Sequence, residues 1–462
     1  MLPVQSINDG WDFLIVLLVV IAGWALFLIS TALMIWGERR LVSKMQSRIG
    51  PNRLGPFGIM QTLADGAKFF FKEDITPSGV DKAVYFTAPL VSAIVAMLTF
   101  AVIPFGGTFA INDRLITLQI WDPQIGLLWP LAMGAIGVYG IVLAGWSSGS
   151  KYPLLGGVRS SAQMISYELA MGLGAAAVFI YTGSLRSSDI VAAQTNSLIS
   201  DSIPVVNLIP AWNIGPMFPA FVLFFIAAIA ETQRPPFDLP EAEGELVAGF
   251  HTEYSGAKFA MFFLAEFMNV ITMSALVVTM FLGGPSGPVP AGDGVLATIG
   301  QIILPVLYFV LKTLIFIFIF VWLRATLPRM RYDRLMDLGW KVMLPLGIAW
   351  VFLTGLAVTF RTWVRDIDQP VTTTLTWLAI IIGVVVVLSV LAPFVVGRDT
   401  QQDELAADEP GGGGGGGRRP KGPPLQPDDG GHAAPPQTAS PLDEPAPVRH
   451  TPTEDPEPAG VS

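Results

Sequence analysis

Apolar positions fall into nine runs long enough, or nearly so, to cross a bilayer: 13–36, 83–104, 126–146, 161–182, 216–231, 257–282, 300–324, 342–360 and 372–396. The fifth is the shortest. Between the first two the pattern changes. From Phe57 to Lys72, the residues Ile59, Met60, Leu63, Ala67, Phe70 and Phe71 share one helical face, while Asp65 and Lys68 fall nearer the other. This spacing predicts an amphipathic helix lying in the membrane interface, behind a Gly/Pro-rich elbow at GPNRLGP. The expected fold class is an all-α polytopic membrane protein with about nine transmembrane helices and one interfacial helix.

The polar positions orient these runs. Counting Lys258 and Arg324 at the span ends, the connections after runs 1, 3, 5 and 7 carry 17 Lys and Arg, against 4 in the connections after runs 2, 4, 6 and 8. An excess of basic side chains marks the cytoplasmic side, which places the N-terminus outside. Residues 1–12 hold no Lys or Arg, so they lack the basic start of a cleaved signal peptide, and run 1 is expected to stay in the mature protein.

Composition agrees, at 52% hydrophobic and 14% charged residues, and it separates a second region. Of the formal charge of −9, residues 397–462 contribute −7 through 12 acidic and 5 basic side chains. The same stretch holds 13 of the 37 prolines and the run Gly411 to Gly417. Such a composition cannot bury a core. The expected organisation is a transmembrane domain over 1–396 and a disordered, acidic, cytoplasmic tail over 397–462.

Candidate chemistry is narrowed by what is missing. The chain has no cysteine, and of its three histidines only His251 lies outside the tail. A haem held by paired histidines or an iron–sulfur cluster held by thiolates cannot be built from this chain alone, so any electrons must arrive on a partner's cofactor. No Gly-x-x-x-x-Gly-Lys-Ser/Thr motif occurs, which argues against nucleotide hydrolysis.

What remains is carboxylate chemistry. Glu168, Glu266 and Lys312 lie inside apolar runs, where each charge costs roughly 2.5–3.5 kcal/mol at a helix centre. With Glu231 at the end of run 5, they line up as titratable steps leading from the cytoplasmic surface towards the midplane, as a proton path requires. The competing reading is a buried Glu266–Lys312 ion pair that fixes helix packing, with Glu168 satisfied by Tyr or Ser neighbours. The loop RPPFDLPEAEGELVAGFHTEYSG adds Asp238, Glu241, Glu243, Glu245 and Glu253. In extended backbone Glu241, Glu243 and Glu245 would project to one side about 7 Å apart. They would then repel by roughly 2.4 kcal/mol per neighbouring pair and share protons near neutral pH. In a helix Glu243 would point away and the coupling would weaken. A solvated acidic loop is the plain alternative, but the flanking apolar residues Phe237, Leu239, Leu246, Val247 and Phe250 suggest a loop pressed into the protein.

Three stretches together carry a family resemblance: RIGPNRLGPFGIMQTLADGAKFFFKE, SAQMISYELAMGL, and AETQRPPFDLPEAEGELVAGFHTEYSGAKFAMFFLAEFMN. With LRATLPRMRYDRLMDLGWK, they resemble, over about residues 12–360, the H subunit of bacterial proton-translocating NADH:quinone oxidoreductase, respiratory complex I, whose mitochondrial counterpart is subunit 1. The resemblance implies a subunit of the bacterial plasma membrane, not catalytic alone, that helps form a quinone chamber against hydrophilic subunits. Those partners would carry NADH, FMN and iron–sulfur clusters, while antiporter-like subunits would lie along the membrane. Ubiquinone or menaquinone would be the substrate. By the same resemblance, Arg39, Arg48, Asp65, Lys68 and Glu73 belong to the quinone chamber. Glu231, Arg234, Asp238, Glu241, Glu243, Glu245 and Glu253 join chamber to membrane, and Glu168 and Glu266 continue a proton-coupling route in which Lys312 is a further candidate. Arg324, Arg329, Arg331 and Asp333 face the hydrophilic arm. Three other readings stand beside this one: the homologous subunit of a membrane-bound hydrogenase or another donor:quinone oxidoreductase, a secondary transporter using Glu266 and Lys312, and a passive scaffold for the peripheral arm.

Overall fold

The computed structural model describes residues 10–111, 114–195, 212–238, 246–289 and 295–365. Seven of their helical segments are long and apolar enough to cross a membrane, and an eighth, α7 (Phe218–Glu231), is shorter. Together they account for the first eight apolar runs. The ninth run, the acidic tail, and Glu241, Glu243 and Glu245 lie outside the described residues.

Two helices outrun the apolar stretches that announce them. The first, α1 (Gly10–Met45), is 36 residues and about 54 Å long, well beyond a hydrocarbon core of about 30 Å. Nothing in GERRLVSKM forces a helix to stop, so the chain stays helical as far as Met45 and turns at Ser47, whose φ is 56°, ahead of Gly50 and Pro51. The buried positions of α1, Phe27, Thr31, Met34, Ile35 and Glu38, recur every three or four residues and carry the core face on into the polar extension. Likewise α5 (Lys151–Thr182) starts ten residues before the apolar run at 161, because Pro153 is tolerated in a first turn. It ends at Gly183, whose φ of 71° supplies the left-handed cap that its N–H uses to reach the Phe179 carbonyl.

The amphipathic pattern forms α2 (Gln61–Phe71), with Phe70 and Phe71 well exposed. The chain then enters α3 (Lys82–Phe100), capped by the Asp81 carboxylate on the N–H groups of Ala83 and Val84. Between α3 and α4 (Leu128–Ser147) runs a short antiparallel hairpin, β1 (Thr108–Ile111) and β2 (Arg114–Thr117), paired Thr108 to Thr117 and Ile111 to Arg114. The all-helical expectation left it out; its cue is alternation over only four residues a side. The short helix α6 (Ser187–Thr195), also unanticipated, follows α5.

The centre of the bundle is α8 (Gly256–Phe281), which is buried on every side from Val270 to Phe281. Its polar members satisfy themselves one turn back, Ser274 Oγ on the Val270 carbonyl and Thr279 Oγ1 on that of Ala275, both at 2.8 Å. Around it stand α3, α7 and α9 (Val295–Thr326). A six-residue helix, α10 (Tyr332–Asp337), passes through a π-helical turn at Leu338–Met343 into α11 (Leu344–Arg365), so the eighth span begins before the apolar run at 342. Small residues set the closest approach of α4 and α5: a methyl on Gly145 would lie 2.6 Å from the Pro153 carbonyl oxygen.

Candidate functional site: buried carboxylates between the spans

Where α3, α4, α5, α7 and α8 meet, they leave a cavity of about 70 Å³. At roughly 10–15 Å³ of such volume per molecule, it has room for several waters. Its lining is mostly apolar, with Ser92, Thr99, Asn269 and the run Glu231, Thr232 and Gln233 among its polar members, together with His251 and Glu266. Glu231, the last residue of α7, is only 3% exposed, and its Oε2 has no hydrogen-bond partner among the described residues. Glu168, reaching in from α5, is close by. A Cβ placed on Gly134 of α4 would lie 3.7 Å from Glu231 Oε1 and 3.8 Å from Glu168 Oε1. Two of the sequence-derived carboxylates are therefore neighbours, both beside a helix stretch that has no side chain at that point.

The turn after α7 is held in place from α5. The fully buried Gln163 donates from Nε2 to the carbonyls of Ala230 and Phe237, both at 2.8 Å, and so ties the two ends of the turn. Gln233, at a φ of 54°, donates to Ser160 Oγ at 2.5 Å. These bonds fix where Glu231 and Arg234 point.

Arg234 is the hub of a second cluster. It is 1% exposed, with its guanidinium 4.3 Å above the centre of the Phe267 ring. Nη1 donates to Glu38 Oε2, and Nε lies 3.0 Å from Glu266 Oε1. Arg324, in the last turn of α9, donates to the other oxygen of Glu38. Two carboxylates and two guanidiniums thus balance one another; an unpaired charge at this depth would cost several kcal/mol. Glu266 pairs with Arg234, where the packing alternative had paired it with Lys312. The latter donates instead to the carbonyls of Leu282, Gly284 and Ser286 at 2.8–3.0 Å, just past the end of α8, and sits 4.9 Å from the centre of the Trp212 ring. It serves there as a cationic cap on a helix end.

Beside α2, Arg39, Gln61, Asp65, Lys68, Phe69 and Lys72 line an open pocket of about 500 Å³ with Pro51. Arg39 and Asp65 form an ion pair across it, and Gln61 Nε2 holds the other Asp65 oxygen at 3.0 Å. Three of the five expected chamber residues are thereby gathered. Arg48 and Glu73 are exposed and do not line the pocket. The strand of chain after α2 is pinned to the start of α8. Lys258 binds Asp74 at 2.8 Å and Thr76 Oγ1 at 3.0 Å, and Ser255 Oγ accepts from the Ile75 N–H at 2.9 Å. Glu253 contributes its carbonyl, which accepts from Tyr85 Oη at 2.6 Å. Arg329, Arg331 and Asp333 are exposed, the last two as a 3.1 Å surface pair. Asp238 is partly buried at the edge of the described loop.

His251 lies in a short 3-10 turn with its ring edge-on to Phe250 and Phe259. Burial pulls its pKa down to about 4. Because the unfolded group titrates near 6.5, the unfolded chain binds more protons between about 4 and 6.5. Stability is therefore lost as pH falls through that window, by up to about 3 kcal/mol. In the His251→Phe variant, the slope of assembly stability against pH between 4 and 6.5 should flatten by up to one proton. An unchanged slope in a pH series of thermal melts would contradict this.

The geometric finding missed by sequence reasoning is Glu38. It closes the apolar run rather than interrupting it, but the 31, 34, 35, 38 spacing carries it onto the core face. Gln163 and Lys258 were missed for a related reason: each looks like an ordinary polar residue at a helix end or turn.

Fold and site define a class: a multi-pass membrane protein that gathers titratable side chains around an internal cavity and around a pocket at one membrane face. The NADH dehydrogenase family matches residues 15–355. The H subunit of the NADH-quinone oxidoreductase of Frankia alni is 46% identical over 411 residues, 88% of this chain and 86% of the relative. That of Frankia casuarinae is 47% identical over 398 residues, 86% and 83% of the two. The chain belongs to the NADH dehydrogenase family.

Proposed function

We propose that this chain is the H-type membrane subunit of a proton-translocating NADH:quinone oxidoreductase, and that it couples quinone reduction to proton movement through the Glu231 cavity. The observation that carries this reading is the buried Glu231 carboxylate beside Glu168 in a space wide enough for water. On a passive scaffold such a group would only cost stability. The transporter reading loses its site, because Glu266 and Lys312 are engaged separately by Arg234 and by backbone carbonyls.

In this proposal the pocket at Arg39, Asp65 and Lys68 admits the quinone headgroup, with Arg48, Glu73 and the arm-facing Arg324, Arg329, Arg331 and Asp333 towards the hydrophilic subunits. The odd-numbered connections lie in the cytoplasm, the N-terminus outside and the tail inside. Electrons come from iron–sulfur clusters in partner subunits, which also bind NADH and FMN. Reduction of quinone to quinol takes up two protons, and the carboxylates of the loop from Arg234 to Glu253 respond by changing protonation or position. Glu231 and Glu168 then pass the change inwards, with the Arg234 cluster holding the loop's root.

Glu168→Gln is the direct test, in assembled membranes with NADH oxidation and proton translocation measured together. Proton translocation should fall roughly ten-fold at near-normal assembly. Loss of assembly with normal translocation per assembled complex would make Glu168 a packing residue. Glu241→Gln and Glu245→Gln combined should lower quinone-linked turnover, and full activity of that double variant would count against the loop's role.

A further inference from the structure

We infer that Gly134 is a positioning residue: by lacking a side chain, it keeps open a seat for water that links the carboxyls of Glu168 and Glu231. The inference rests on the coupling reading above and adds to it a group that does not itself titrate.

The argument is one of space. Gly134 lines the internal cavity, and the position its Cβ would take lies 3.7 Å from one carboxylate oxygen and 3.8 Å from the other. The two oxygens can be no farther apart than the sum of those distances, so no more than two waters are needed to link them by hydrogen bonds of ordinary length. The cavity lined by Gly134 and Glu231 supplies the room, and Oε2 of the same Glu231 carboxyl, buried and without a protein partner among the described residues, leaves that group an acceptor to spare. A proton then moves without net consumption of water: the protonated carboxyl of one glutamate gives its proton to the water, and the water gives another to the carboxylate of the other.

Nothing in the packing demands a glycine here. At 3.7–3.8 Å an added methyl would be in plain van der Waals contact. No positive φ is recorded at this residue, which sits inside a regular helix. Alanine should therefore fit, and as a better helix former it should not weaken α4. What the methyl does change is chemistry, because it fills the space beside both carboxyls with a group that neither donates nor accepts. Serine is nearly the same size but carries a hydroxyl that can do both.

The test compares Gly134→Ala, Gly134→Ser and Glu168→Gln in the intact membrane complex, measuring assembly by native electrophoresis, NADH:quinone turnover, and proton translocation. Gly134→Ala should assemble normally and lose on the order of ten-fold in translocation, and Gly134→Ser should regain most of that loss. Wild-type translocation in Gly134→Ala, equal impairment in Ala and Ser, or failure of both to assemble would each overturn the water seat. Glu168→Gln separates the two levels. If it is impaired while Gly134→Ala is not, only the role of Gly134 falls; if Glu168→Gln translocates normally, the coupling reading falls with it.

Discussion

Arg234→Met should abolish most of the assembled complex. The guanidinium touches both Glu38 and Glu266, and from the loop after α7 it is wholly buried against α1 and α8. Removing it leaves two carboxylates facing each other in a poorly hydrated place, a defect that typically costs 3–5 kcal/mol. Arg324 would still reach Glu38, so the loss should fall mainly on Glu266. Arg234→Lys should recover only part of the stability, since a compact ammonium lacks the planar fork that serves two carboxylates from a position over the Phe267 ring. The triple variant Arg234→Met, Glu38→Gln, Glu266→Gln discharges the site and should assemble better than Arg234→Met alone. Native electrophoresis and thermal melts of the solubilised complex measure these differences. Should the single and triple variants assemble equally well, charge balance is not what holds this corner.

The second large effect is expected at Glu231. Its glutamine variant keeps the size and shape of the side chain and removes only the capacity to exchange a proton. The group lines the cavity with one oxygen already lacking a hydrogen-bond partner among the described residues, so assembly should persist. Proton translocation per NADH oxidised should drop by about two orders of magnitude, the range that removal of a proton-transferring side chain commonly produces. Glu231→Asp, with its carboxyl withdrawn by one methylene, should fall between the two. Normal translocation by Glu231→Gln in a fully assembled complex would remove the cavity from the mechanism.

Much of the architecture could be read from sequence because a bilayer is an exacting solvent. Apolar runs of the right length must be helices there, and all eight that lie in the described residues are. The sequence reading fell short where a helix leaves the lipid. Hydropathy ends α1 near residue 36, yet hydrogen bonding carries it to Met45, and that extension holds both Glu38 and Arg39. The hairpin at 108–117 was too short to register by alternation.

Among the site residues, cost in lipid was a good guide to Glu168 and Glu266, but gave no pairing. Lys312 and Glu266 looked like partners by charge alone, and only the fold shows that Arg234 has taken the carboxylate while backbone carbonyls have taken the ammonium. Gly134 carries no chemical signature at all. Its interest comes from what two other helices point at it, which no spacing along one chain can reveal.

The tie between the segment after α2 and the start of α8 has a mechanical consequence. Asp74 and Thr76 hold Lys258, Ser255 holds Ile75, and Gly256 sits against the last turn of α2 with its Cβ position 3.6 Å from the Phe69 carbonyl oxygen. A tilt at the tail of the surface helix must either snap these links or drag the first turn of the central rod with it. One turn further along that rod, Phe259 abuts His251, and both form part of the wall of the cavity that Glu231 lines.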